Sequence, residues 1–344
     1  MTDAGTTDRA QRPPPIAWSW SAAALGAAYA APAAVAMTWD VSRGLALAVG
    51  VLPAAALGLR PMRRGRVATA MLGGVAGISI LVGSALAELP WLAVPAIVAL
   101  AVGAVLLTRR GPAGLVTVYL GVPLVGIGLS FEGTAESAGL AGLMLAGSVY
   151  AWLVSLLWPE RDGGPPARQP AGPLPVEYGV RLGLAGATAA AIGFALDLDH
   201  VGWACAAALL VMRPAAEMQQ LRSAGRIASV ACGALAGILV VRAEPPVGAY
   251  SAAVVAAVAA LAATRGSRWY VTSAFTTFLV FLLLLQSEPA AAAARFGERL
   301  AETVLGVAIA YVFGVAVPAV RSRGRQGPAG RERGGRAGGA RPPA

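Results

Sequence analysis

Lysine is missing from this 344-residue chain; all 27 basic residues are arginine. A P-loop needs a lysine to reach phosphates and a Schiff base needs an amine, so both mechanisms are closed. Histidine occurs once, as His200, and cysteine twice, as Cys205 and Cys232. A structural zinc site takes four ligands and a catalytic one about three, so the sequence implies no metal and no cofactor. Both cysteines stand in apolar runs and read as small buried residues. No nucleophile–base pair is visible, which argues against an enzyme. Charge itself is scarce. Only 13% of residues are charged and 57% are hydrophobic, whereas a soluble domain carries about a quarter charged residues.

What fills the chain instead is a series of apolar stretches. We read twelve, at 16–37, 41–59, 67–86, 91–107, 115–131, 138–158, 178–196, 201–212, 224–241, 247–264, 269–285 and 300–317. Long apolar runs with charge confined to short gaps mark a polytopic membrane protein, all-α in class. Arginine placement orients it. With both termini in the cytoplasm, 23 arginines fall inside, and only Arg43, Arg242, Arg295 and Arg299 fall outside. The opposite gaps are acidic, with Glu88, Asp197, Asp199, Glu244 and Glu288 among them.

An N-terminal segment, 1–15, precedes a first membrane half at 16–158. Residues 159–177 form a Pro/Gly-rich linker, with six Pro and three Gly between Pro159 and Pro175. A second half spans 178–318, and 319–344 is an Arg/Gly-rich tail expected to be disordered and cytoplasmic. The tail holds +6 of the net charge of +10 and could touch anionic lipid. An internal repeat supports the division. Residues 65–78 (GRVATAMLGGVAGI) and 225–238 (GRIASVACGALAGI) agree at seven of fourteen positions. Six spans per half give both halves one orientation, hence two six-helix parallel repeats.

Polar residues in such a chain mark where chemistry is placed. The densest group is Asp197, Asp199, His200 and Trp203, between spans seven and eight. The eighth span is twelve uncharged residues, about 18 Å of helix against an apolar core near 30 Å. Short spans point to transport sites; the same acids also suit a solvated loop. His200 can shuttle protons or merely be exposed. Arg213 and Arg226 flank a polar segment, Pro214 to Ser223, that reads as a short cytoplasmic helix, and the two suit either interfacial anchoring or a carboxylate-binding fork. Glu302, about one turn inside the last span, is either a proton carrier or an interfacial acid. We expect a polar cavity between the halves, bounded by Asp197, Asp199 and His200 at one end and Arg213 at the other, with Glu302 facing it.

The runs DHVGWACAAALLVMRP (199–214) and RSAGRIASVACGALAGI (222–238) resemble the fusaric acid resistance (FUSC-like) and aromatic acid exporter family. The last span, RLAETVLGVAIAYVFG (299–314), resembles that family's Arg-x-x-acid-Thr-x-x-Gly stretch, with Glu302 in the acidic position. The resemblance implies an inner-membrane secondary transporter that exports small aromatic or other carboxylate compounds without ATP. The alternative is a membrane-embedded assembly protein with no transport activity. Beyond the bilayer and a small-molecule substrate, the sequence leaves open whether copies of the chain associate.

Overall fold

The computed structural model describes residues 14–131, 133–160, 172–287 and 292–319, and all secondary structure among them is helical. The first half comprises α1 (Trp20–Ala36), α2 (Val41–Gly50), α3 (Leu52–Leu57), α4 (Arg63–Ala87), α5 (Pro90–Leu107), α6 (Pro112–Val116), α7 (Val122–Gly128) and α8 (Thr134–Leu156). The second comprises α9 (Val176–Ala195), α10 (Val201–Val211), α11 (Ala216–Arg242), α12 (Val247–Ala263), α13 (Trp269–Ser287) and α14 (Ala292–Tyr311). Seven of the described helices are long and apolar enough to cross a membrane, and five further apolar helices are shorter. This is a multi-pass membrane protein. Arg9, Arg12, Arg161, Arg168, Glu132, Glu288, most of the expected linker and the tail beyond 319 lie outside the described residues.

Starts and breaks follow from local chemistry. Ser19 and Asp40 cap α1 and α2, accepting from the N–H groups of Ala22 and Arg43. Pro90 and Pro112 open α5 and α6, where a missing N–H costs nothing. Pro53 accompanies the break at Val51 that divides the single span expected at 41–59 into α2 and α3. A π-turn, Thr117–Gly121, joins α6 to α7, and another, Val312–Ala316, continues α14. Two expectations are corrected. The polar segment after Pro214 is not a separate short helix but the start of α11, which runs unbroken from Ala216. The last span begins at Ala292 rather than near 300, so Glu302 lies ten residues into α14, nearly three turns, not one.

Two large hydrophobic clusters and a smaller third hold the bundle. One joins α1, α2, α3, α4 and α8 to α12 and α13; another joins α5 and α7 to α9, α10 and α14; the third joins α11, α13 and the start of α14. The two large clusters each draw on both halves of the sequence. α1 packs on α12 and α5 on α9, while α2 meets α13 and α7 meets α10.

The short α10 is tolerable because protein rather than lipid surrounds it. Ten of its eleven residues are buried, and helices α7, α9, α11 and α14 pack around it. Small residues permit that closeness. A Cβ on Gly306 of α14 would stand 2.8 Å from the Ala207 Cβ and 2.9 Å from the Ala208 nitrogen. At the other side the Gly202 N–H donates to Ser130 Oγ at 3.0 Å.

A buried arginine fastens α4 to α8. Arg66 is 1% exposed. Its guanidinium donates to the carbonyls of Arg60, Pro61, Ser155, Trp158 and Pro159, and so satisfies acceptors that the end of α8 leaves open.

Packing around α10 gives a direct test. Gly306→Val overfills the contact with α10 and lowers stability by about 1–3 kcal/mol. Gly103→Ala, where a Cβ meets open space, is neutral or stabilises by up to about 1 kcal/mol. Thermal unfolding of both in detergent checks this, and equal melting points would contradict the packing.

Candidate functional site

Helices α10, α11 and α14 carry the polar residues that the bundle buries. The site is easiest to follow from the His200 end of α10. There Arg295 of α14 reaches across to the turn before α10. Its Nη1 lies 3.0 Å from Asp199 Oδ2, 3.4 Å from His200 Nδ1 and 3.2 Å from Glu298 Oε2. Asp199, His200 and Glu298 present ligand atoms within 4.8 Å of one another, the composition of a small cation site. The guanidinium of Arg295 supplies the positive charge among them. His200 stacks on Trp203, ring centroids 4.2 Å apart and planes inclined by 25°. Asp197, one turn away, is exposed and has a positive φ of 49°, which aspartate tolerates better than most residues.

One turn deeper along α14, Arg299 lays its guanidinium over the opposite partner of that stack. Its Cζ is 4.3 Å from the Trp203 ring centroid. Arg299 and Glu302 are each 6% exposed. Arg299 Nη1 and Glu302 Oε2 have no hydrogen-bond partner. Thr303 Oγ1 donates to the Arg299 carbonyl at 2.7 Å and seals the helix there.

From α11 comes Arg226, 8% exposed. Its Nη1 donates to Ser273 Oγ at 2.8 Å, and its Nε is unpartnered. Ser229 closes the group by donating to Ser273 Oγ at 3.0 Å. The charges of Arg226 and Glu302 both act on Arg299. α11 and α14 are pinned in register by Gln219, whose Nε2 donates to the Ala310 carbonyl. From that pin Arg226 is seven residues along α11 and Arg299 eleven back along α14. At 1.5 Å per residue the two are staggered by about 6 Å along the bundle.

Arg213 lies at the far end of α10, some 16 Å from His200 by helical rise. It is buried, donates from Nη1 to the Met212 carbonyl at 2.5 Å and covers the Tyr119 ring at 4.7 Å. Tyr178 donates to the same carbonyl at 3.2 Å. Nearby on α11, Arg222 covers Trp269 at 4.9 Å. Arg222 and Arg226, four apart, share one face of α11, and Arg295 and Arg299 share one face of α14. The four guanidiniums therefore form a ladder on two adjoining helices, with Arg213 beside its first rung.

The structure thus gathers Asp199, His200, Trp203 and Glu302 around α14 and brings Arg226 to them through Arg299. It leaves Asp197 at the surface and Arg213 at the opposite end. A small cavity of about 20 Å³ lies elsewhere, lined by Leu25, Tyr29, Gly58, Trp158 and Arg265. Arg295 and Arg299 were not chosen as site residues in the sequence: both counted as exceptions to the charge rule, and Arg299 otherwise entered as the first residue of the Arg-x-x-acid stretch. Their signal was present: two arginines at i and i+4, interleaved with Glu298 and Glu302, on a helix otherwise apolar.

Comparison with known proteins falls on the same region. Residues 188–313 match the model of the family described as fusaric acid resistance protein-like. The resemblance seen in the sequence is borne out over that stretch, which contains every residue of the site from Asp197 to Glu302. No curated protein and no solved structure matches the chain.

The latch around Arg295 has a pH signature. His200 is held below its ordinary range, first by burial and then by the Arg295 charge, against the opposing pull of Glu298 and Asp199. The unfolded chain, with an ordinary histidine near 6.5, then binds more protons than the folded one. Stability therefore declines as pH falls through 6.5. Melting temperatures should drop between pH 7 and 5.5, and His200→Gln should remove part of that drop. An unchanged profile in the variant would rule out this role.

Proposed function

We propose that this chain is a secondary transporter that carries small carboxylates, aromatic ones among them, outward across the inner (plasma) membrane without ATP. In this reading both termini are cytoplasmic, and the Arg213 end of α10 faces inward. The observation that carries it is the arginine ladder. A charged side chain in hydrocarbon costs about 2.5–3.5 kcal/mol even on lenient scales, and such residues cluster where a polar substrate passes. Arg226 and Arg299 are buried with guanidinium nitrogens unspent. An arginine that lacks its full set of acceptors is a receptor for an oxyanion, and the planar fork suits a carboxylate. Trp203, now stacked against His200 and Arg299, would take an aromatic substrate in place of one of them. Arg213 and Arg222 gather the anion at one end, and Arg295, eased off Asp199, His200 and Glu298, releases it at the other.

Architecture supports the same reading. The seven long and five short apolar helices are as many as two six-helix parallel repeats would need. Exchanging each helix for its counterpart six spans away turns the α1–α12 contact into α9–α5 and the α2–α13 contact into α10–α7. The two large hydrophobic clusters exchange as well, apart from the share of α4 in the first. Two such bodies, each built from both halves, can rock against one another around the ladder. The family match over 188–313 favours a transporter over the competing reading of an assembly protein.

Efflux of benzoate from preloaded cells, at matched protein levels, is the test. Arg226→Lys and Arg299→Lys keep the charge but lose the fork, and each should slow efflux at least tenfold, about 1.4 kcal/mol or more. Normal efflux in both would return the ladder to a packing role.

A further inference from the structure

The ladder contains one buried group of the wrong sign. Glu302 follows Arg299 by three residues on α14, is as buried as Arg299, and keeps Oε2 without a partner. A site built only to attract an anion would omit it. We propose that Glu302 is an internal anion that competes with the transported carboxylate for Arg299, and that a proton on Glu302 opens the site, so that carboxylate and proton are bound together. This rests on the carboxylate reading above and adds the sign of its coupling to protons.

The argument is one of placement. Residues three apart on a helix stand about 5–6 Å from each other. A carboxylate seated on Arg299 therefore enters the field of Glu302 at roughly that distance. Two negative charges about 6 Å apart, at an effective dielectric near 20, oppose one another by a factor on the order of 100 in affinity. Protonating Glu302 removes that opposition. By linkage, the arriving anion must in turn draw a proton onto Glu302.

The surrounding charges do not supply the same switch. On its own helix Glu302 feels Arg299, Glu298 and Arg295, and from the turn before α10 it feels Asp199. His200 shares that turn and touches Arg295. α11 contributes Arg226 through its action on Arg299. Val201–Val211 of α10 carries no charged residue, and the charged residues of α9, Glu177 and Arg181, lie near its far end. Arginines stay charged at all working pH values, and Asp199 is exposed. Glu302 is left as the buried carboxyl beside Arg299.

The consequence differs from a simple exchange of an incoming proton for an outgoing anion. Binding both species on one side carries the whole acid, and an acidified interior would promote its own relief.

Calorimetry on the full chain in nanodiscs, with benzoate as the probe, decides the matter. Titrations at pH 7 in two buffers of different ionisation enthalpy count the protons exchanged. The wild-type protein should take up a proton with each benzoate, in part or in full, and bind at least tenfold more tightly at pH 6 than at pH 8. Glu302→Gln should exchange none, bind equally at both values and exceed the wild type at pH 8 by tenfold or more. His200→Gln should keep the wild-type slope. Benzoate binding with no proton uptake, or a Glu302→Gln variant that binds more weakly at pH 8, overturns the proposal while leaving the carboxylate site standing. No benzoate binding by the wild type at any pH removes the carboxylate reading itself, and this proposal with it. The proton count on the wild type stands even where the variant does not fold.

Discussion

A guanidinium cannot be left dry in hydrocarbon; something must accept its hydrogen bonds, and what accepts them decides what the residue does. This protein contains both solutions. Arg66 is surrounded by five backbone carbonyls and is spent on joining α4 to α8. Arg226, which occupies the matching position of the second repeat block, holds one serine and leaves Nε unpartnered. The same residue type at the same place in two similar segments is thus structural in one and available in the other. Burial alone would not separate them, since both are buried.

That contrast extends to how the two helices are held. α4 is tied to α8 at its first turns, whereas α11 is pinned to α14 by Gln219, below the ladder. The equivalent glycines also diverge. Gly73 meets Ser148 on α8, but Gly233 meets Ala274 and Thr277 on α13. α11 therefore leans toward α13, and Arg222 and Arg226 on that same face meet Trp269 and Ser273 of α13.

Much of this was legible in the sequence, because lipid imposes a coarse and reliable grammar. Apolar stretches located all seven long helices, although α11 and α14 each begin eight residues ahead of the expected span, and the short span at 201–212 appears as an eleven-residue helix. Asp199, His200 and Trp203 are neighbours in the sequence itself, and Glu302 was expected to face the same cavity. What was hidden depends on depth and register. Ala292 to Ala294 are too bland to announce a helix start, so Glu302 was placed two turns too shallow. Arg295 and Arg299 looked like stray charges outside, because a charge count records which side a residue falls on and not which face it shares. Arg213 was expected at the opposite end of the site from Asp199 and His200, and the two sets stand at opposite ends of α10.

The central claim is that two incompletely satisfied buried arginines form a receptor for a carboxylate. Ligand-induced stabilisation tests it most directly, because a ligand that binds the folded state raises its melting temperature in proportion to the logarithm of its concentration. Benzoate and benzamide have nearly the same shape and differ in charge. The account predicts that benzoate raises the melting temperature of the purified protein, that benzamide does not, and that the shift vanishes when Arg226 and Arg299 are both replaced by Gln. Equal stabilisation by benzamide, or a benzoate shift that survives the double replacement, would contradict it.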